Sequence, residues 1–191
     1  HGMSESSAYK VAFIGTHGVG KTTLCYGLAA GLKARDVTLE VVREVARRCP
    51  LPINQATNVA SQSWILHTQI AEELVAEAHY GVVICDRSVL DNYVYMLLAA
   101  GGQSELEPLV ADWMKTYYLL LHVPIVAAPH ADGIRATDPA FQQAIEDRLL
   151  EELQRRNLPV EYLDPTARDD WAETAVSLVL DRLRPPQLQL L

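Results

Sequence analysis

The chain has 191 residues, 49% of them hydrophobic and 21% charged, and its formal net charge at pH 7 is -8. This composition is ordinary for a globular domain with a full core, and the acidic balance disfavours non-specific binding to nucleic acid or to an anionic membrane. No apolar run approaches the roughly 18 residues of a membrane span, and the start of the chain lacks a signal-peptide core. We therefore expect a cytoplasmic protein whose cysteines are free thiols.

The order of apolar and helical segments predicts how the chain is organised. Residues 1–9 are interpreted as a tag remnant and disordered N-terminus, residues 10–184 as a single domain with a lid at about 124–138, and residues 185–191 as a tail. Apolar runs that alternate with helical patterns are typical of a parallel α/β sheet. The predicted strands cover residues 10–14, 38–42, 82–85, 118–123 and 160–163. The predicted helices cover residues 21–34, 54–79, 92–100, 105–116, 139–156 and 166–183.

The first predicted strand leads directly into the pattern G-x-x-x-x-G-K-T at residues 15–22, and a predicted helix follows. This is the P-loop pattern in the strand–loop–helix context that its chemistry requires. Glycines remove side chains that would block a phosphate, so backbone N–H groups can converge on an anion at the helix N-terminus. Lys21 is expected to reach the β- and γ-phosphates, and the Thr22 hydroxyl to ligate Mg²⁺. The expected nucleotide-binding residues are Gly15, His17, Gly18, Val19, Gly20, Lys21, Thr22 and Thr23.

Ligands of parallel α/β sheets bind beyond the carboxyl ends of the strands. After the second predicted strand, Glu44 is a candidate general base or an acceptor of hydrogen bonds from a sugar hydroxyl, with Arg47 also facing the substrate. The alternative carries equal weight: a solvated helix start, in which Arg43, Arg47 and Arg48 pair with Glu44 at helical spacing. On the following helix, Gln62 is a candidate for substrate recognition, and a solvated helix face is the competing interpretation.

After the third predicted strand, Asp86 ends an apolar run, as the carboxylate of a Walker B segment does. It can hold Mg²⁺ through water or accept a proton from an attacking hydroxyl. Arg87 can grip a substrate anion in a bidentate manner, and Tyr93 is a further candidate for substrate recognition. The alternative for Asp86 and Arg87 is a surface ion pair at a strand end.

The segment after the fourth predicted strand contains proline and glycine and is long for a connection in a compact domain, which is typical of a lid. Arg135 on this segment is expected to neutralise charge on the γ-phosphate in the transition state. An ordinary exposed arginine is the alternative. The histidines show no ligand spacing, so no structural metal is predicted.

Together, G-x-x-x-x-G-K-T-T, R-E-x-A-R, a helix with spaced glutamines, C-D-R-S-x-L-D-x-x-x-Y and D-G-I-R resemble the NadR-like group of P-loop kinases and ATPases. That group includes ribosylnicotinamide kinase domains and AAA-labelled ATPases, and it is more distantly similar to thymidylate and deoxynucleoside kinases. The resemblance runs from about residue 10 to 168. It implies a three-layer fold whose five-stranded parallel sheet has the order 2-3-1-4-5, with helices on both faces.

The resemblance also implies roles for the candidate residues. Lys21 and Thr22 would serve ATP and Mg²⁺, Asp86 would be the metal-associated or base carboxylate, and Arg135 would be the lid arginine. Glu44 and Arg87 would face the acceptor. The expected function is transfer of the γ-phosphate from ATP to a hydroxyl of a small nucleoside-like acceptor. A regulatory ATPase and a polynucleotide 5′-kinase remain alternatives, and the net charge of -8 is unfavourable to the second.

Overall fold

Five parallel strands form one sheet in the order β2-β3-β1-β4-β5, as the resemblance implied. The computed structural model describes residues 8–52, 59–126 and 138–183. The strands are β1 Tyr9–Ile14, β2 Leu39–Val42, β3 Val82–Asp86, β4 Leu119–His122 and β5 Glu161–Tyr162. β1 lies at the centre, between β3 and β4, and all six of its residues are buried. Runs that are apolar on both faces suit a sheet covered by helices on both sides.

Six α-helices cover the sheet within the described residues. They are α1 Lys21–Lys33, α2 Val59–His79, α3 Val89–Ala100, α4 Glu107–Met114, α5 Pro139–Arg155 and α6 Trp171–Leu183. One core cluster joins α1 and α6 to one face of the sheet, for example through Leu28 and Val179. The other joins α2, α3 and α5 to the opposite face, for example through Leu66 and Leu149. The three-layer arrangement with helices on both faces is thus confirmed.

Side-chain caps set where α3 and α5 begin. α3 begins at Val89, three residues early, because Ser88 and Asp91 form a capping box in which the Asp91 carboxylate accepts from Ser88 N at 2.7 Å. α5 begins at Pro139 as predicted, since the Asp138 carboxylate accepts from Ala140 N at 3.0 Å.

Two short 3-10 helices, Val45–Arg48 and Arg168–Asp170, were not predicted as separate elements. α6 therefore begins at Trp171 rather than at residue 166. β1 begins at Tyr9, a residue that the sequence prediction assigned to the N-terminal segment before the domain. Residues 1–7 and 184–191, residues 54–58 of the predicted second helix and most of the predicted lid lie outside the described residues. Within the described ranges, no helix is long and apolar enough to cross a membrane.

Candidate functional site

The loop between β1 and α1 has the backbone that the P-loop pattern requires. Gly15 has a φ of +151°, and a Cβ at this position would lie 2.7 Å from the carbonyl oxygen of Val123. Gly20 precedes α1 with a φ of +96°, and no atom lies within 4 Å of where its Cβ would be. No acidic side chain occupies the first turn of α1. The helix N-terminus is therefore open to an anion, which its unpaired N–H groups and its dipole favour.

Lys21 is buried at the base of this loop. Its Nζ donates to the carbonyl oxygens of Gly15, at 2.8 Å, and of Thr16. Burial, followed by the nearby charge of Arg87, lowers the pKa of Lys21 to about 8. Within the described residues, its hydrogen-bond acceptors are these two loop carbonyls, and the carboxylates of Asp91, Asp86 and Glu44 act on it without a direct bond. A polyphosphate would supply a negative charge bonded directly to the ammonium.

Thr22 and Asp86 meet at the other side of the loop. The Thr22 hydroxyl donates to Asp86 Oδ2 at 2.5 Å, and burial is the main cause of a raised pKa of Asp86. A hydroxyl and a carboxylate are oxygen ligands of the kind that Mg²⁺ accepts, with water and phosphate oxygens completing the shell. No group of three or more His, Cys, Asp or Glu in the described residues could hold a metal. The pair therefore fits Mg²⁺ that is bound together with a nucleotide.

Glu44 lies opposite, held by two arginines. Its Oε1 is 2.8 Å from Arg87 Nη2, and its Oε2 accepts from Arg47 Nε at 2.8 Å. Arg87 is buried and has a φ of +91°, which is rare for residues other than glycine. This conformation is held from both sides, because Arg87 N donates to Phe13 O at 3.1 Å and Arg87 O accepts from Gln69 Nε2 at 2.7 Å. These bonds fix the backbone from which the Arg87 guanidinium reaches Glu44.

These groups surround one cavity of about 670 Å³. Its walls are His17, Gly18, Gly20, Lys21, Thr22, Thr23, Glu44, Arg47, Asp86 and Arg87. All ten were sequence candidates, so the structure brings the P-loop, the end of β2 and the end of β3 together as expected. Their roles in binding and chemistry stay predictions.

The other candidates lie elsewhere. Gly15 and Val19 are buried and do not line the cavity. Gln62 is buried on α2 and is not among the cavity's lining residues. Arg135 falls outside the described residues.

Tyr93 also lies away from the cavity, in the core. It is fully buried, and its hydroxyl accepts from Gln103 N at 3.1 Å. Tyr95 is the tyrosine on the cavity side, where its hydroxyl is 3.0 Å from His17 Nδ1 and its ring lies 5.2 Å from the Arg87 guanidinium carbon. Two positions on a helix are about 200° apart, so only one of the two tyrosines can face the site.

Sequence reasoning missed the side chains that hold the P-loop from behind. Gly15 N donates to Asp91 Oδ1 at 2.9 Å, and the other Asp91 oxygen accepts from Ser88 N and from its hydroxyl, both at 2.7 Å. From α5, Gln142 Nε2 donates to His17 O at 2.9 Å. The S-x-x-D spacing was a local sign of the capping box, but nothing local indicated that Asp91 also binds the P-loop.

Comparisons with known proteins identify the family and the fold of the chain. A protein-family model described as an AAA domain matches residues 10–173. No curated protein matches the chain.

Solved structures of kinases share the fold. The chain aligns with thymidylate kinase from Ehrlichia chaffeensis at a TM-score of 0.63 and 18% identity, over 93% of this chain and 99% of that one. For deoxyadenosine kinase from M. mycoides the TM-score is 0.62 and the identity 14%, over 91% of this chain and 98% of that one. A NadR protein in complex with NR aligns at a TM-score of 0.66 and 22% identity, over 82% of this chain and 46% of that one. The chain thus spans about half of the NadR protein, and the P-loop kinase fold inferred from the motifs is confirmed.

Proposed function

Because the family match over residues 10–173 makes this chain a member of the AAA_28 family of AAA domains, we propose that its P-loop serves phosphotransfer. The proposed reaction moves the γ-phosphate of ATP to a hydroxyl of a small nucleoside-like acceptor. The observation that carries the proposal is the position of Glu44, which shares one cavity with Lys21, Thr22 and Asp86. In a kinase, a carboxylate opposite the P-loop can orient the hydroxyl of the acceptor.

The proposed division of labour follows from the contacts of the two carboxylates. Asp86 is bonded to Thr22, so this pair would hold Mg²⁺, which when bound neutralises charge on the phosphates. Within the described residues Glu44 is bonded to arginines and not to the Thr22–Asp86 pair, so we assign to it the proton of the acceptor hydroxyl. The hydroxyl oxygen would then bond to the γ-phosphorus as the bond from that phosphorus to the leaving oxygen of ADP breaks. Lys21 would stabilise the charge that develops on the phosphoryl oxygens.

Support for a nucleoside-like acceptor comes from the neighbours in fold. Their names are thymidylate kinase and deoxyadenosine kinase, and one NadR structure contains NAD and AMP-PNP. The regulatory-ATPase alternative predicts slow hydrolysis that no small molecule stimulates. It gives no role to the Glu44–Arg87 pair inside the cavity.

The test is phosphate transfer from labelled ATP–Mg²⁺ to a panel of nucleosides and nucleotides, with Lys21→Ala as the inactive blank. With the acceptor that works, Glu44→Gln should lower kcat by about 10²–10⁴-fold, because an amide cannot take the proton. Glu105→Gln, on an exposed residue outside the cavity, is the matched control and should behave as wild type. ADP formation that no acceptor stimulates, and that Glu44→Gln leaves unchanged, would contradict the proposal.

A further inference from the structure

A second, smaller cavity of about 260 Å³ adjoins the first, between α1, the end of β2 and the 3-10 helix Val45–Arg48. It shares Thr22, Glu44, Arg47 and Asp86 with the P-loop cavity, so a molecule that reaches Glu44 can extend into both. We call it the arginine cavity, because three arginines of the segment after β2, Arg43, Arg47 and Arg48, are part of its lining.

The three arginines differ in how far their charge is already matched. Arg48 makes two hydrogen bonds of 2.7 Å to Glu72, one to each carboxylate oxygen, and is neutralised. Within the described residues, Arg47 donates a hydrogen bond only from its Nε, to Glu44. Arg43 makes no hydrogen bond or ion pair within the described part of the chain. Two guanidinium groups therefore present unused donors to the cavity.

Nearby carboxylates do not balance this charge. Glu44 is shared between Arg47 and Arg87, and Asp86 is bonded to Thr22 beside the Lys21 ammonium. The region is thus locally positive in a chain whose net charge is -8. A field of opposite sign to the rest of the surface attracts anions to that place.

Arg87 carries a further unused donor beside Glu44. Its side chain is 9% exposed, and its buried Nε has no hydrogen-bond partner in the described residues. A buried unpaired donor on a charged group is costly, so such donors usually have a ligand or water as partner. Arg87 lines the P-loop cavity and Arg47 lines both cavities, and both pair with Glu44. The unused donors therefore belong to two side chains that contact the carboxylate that would receive the acceptor hydroxyl.

We propose that the acceptor carries an anionic group, a phosphate or a carboxylate, that binds Arg43 and Arg47 in the arginine cavity while its hydroxyl lies at Glu44. This inference rests on the proposed function, and it narrows the acceptor class from nucleoside-like molecules in general to anionic ones. The cavity is large enough for such a group with a few further atoms, and the half-exposed Tyr26 ring forms part of its wall.

The first experiment compares matched acceptors in the phosphotransfer assay. The panel holds nucleosides, their 3′- and 5′-monophosphates, nucleoside 5′-carboxylates and a 5′-hydroxyl oligonucleotide. The best small anionic acceptor should exceed its neutral nucleoside by about 10- to 100-fold in kcat/KM, mostly through KM, as charge-assisted hydrogen bonds allow. The phosphate and carboxylate arms identify the anion.

Arg43→Gln should lower this anionic preference by at least about tenfold. Arg35→Gln, an exposed arginine of the same chain outside both cavities, should keep the wild-type preference. Equal kcat/KM for neutral and anionic acceptors, or a preference that Arg43→Gln leaves intact, overturns the inference while the proposed function stands. A clear preference for the oligonucleotide over every mononucleotide also overturns it, because the acceptor is then a polynucleotide.

A binding measurement separates this inference from the proposed function. Calorimetric titration of the same mononucleotides is carried out on protein saturated with AMP-PNP and Mg²⁺, so that the P-loop is blocked. Binding of the anionic probe that Arg43→Gln weakens about tenfold or more supports the arginine cavity even if no phosphate is transferred. Absence of transfer to the whole panel then counts against the proposed function alone, and absence of binding counts against the inference.

Discussion

Nucleotide binding should be linked to uptake of a proton by Lys21. Its pKa is lowered from 10.5 to about 8 by burial and by the charge of Arg87. Only the protonated ammonium attracts phosphates, and their charge in turn raises its pKa when the nucleotide is bound. The apparent Kd for ATP–Mg²⁺ should therefore rise by the factor 1 + 10^(pH − pKa), which is close to 1 at pH 7 and roughly 11 at pH 9. The expected loss of affinity between these pH values is about tenfold.

Isothermal titration calorimetry in buffers of different ionisation enthalpy measures this linkage directly. Binding at pH 9 should take up about 0.9 proton, and binding at pH 7 about 0.1. The phosphates have a second pKa of about 6, so they are mostly ionised at pH 7 and fully ionised at pH 9. Burial lowers the pKa of His17, so that ring stays neutral. Burial raises the pKa of Cys25 and Cys85 well above its usual value, so both stay protonated. Cys49→Ser removes the remaining thiol, which is half-buried, and serves as the control.

Two results would refute the reasoning about Lys21. One is a Kd that stays within about twofold from pH 7 to pH 9 without proton uptake, which would mean that the buried ammonium keeps its ordinary pKa. The other is a Lys21→Arg protein that binds ATP and retains the full pH dependence. A guanidinium remains charged throughout this range, so its affinity should not change with pH.

Two further predictions concern the support of the loop. Gly15→Ala should lower the free energy of unfolding by about 2 kcal/mol or more in urea titrations, because its Cβ would lie 2.7 Å from Val123 O at a φ of +151°. Unchanged stability would show that the loop moves aside freely. Asp91→Asn should lower the free energy of unfolding by about 1–3 kcal/mol. One Asp91 oxygen accepts from Gly15 N and the other from Ser88 N, and the amide nitrogen of asparagine can accept neither bond. The exposed Asp112→Asn is its control, and equal effects of the two would contradict the assigned contacts.

Local patterns in the sequence were sufficient to locate the P-loop and Asp86, the residues proposed to hold the nucleotide and Mg²⁺. The P-loop is a contiguous segment whose glycine positions and lysine are set by local backbone geometry. Asp86 could be placed because it ends an apolar strand, and parallel strands end at one edge of the sheet. The alternation of strands and helices likewise indicated the fold class, since both periodicities are local properties of the chain.

Only the tertiary structure decided the contacts of the residues proposed to face the acceptor. For Glu44 the sequence favoured equally a residue that faces the substrate and a solvated helix start paired with arginines. In the structure Glu44 pairs with Arg47 at helical spacing and also with Arg87, which follows another strand. Which tyrosine of α3 faces the site depended on how that helix rotates against the sheet. Tyr93 lies in the core, and Tyr95 lies beside Arg87.

The bond between Asp91 and the P-loop joins residues 76 positions apart, a separation that no local pattern reports. The sequence by itself therefore determined what a short segment can bind, because that capacity lies in local geometry. The distances between segments, and with them the surroundings of the acceptor, were determined only when the whole sheet and its helices packed together.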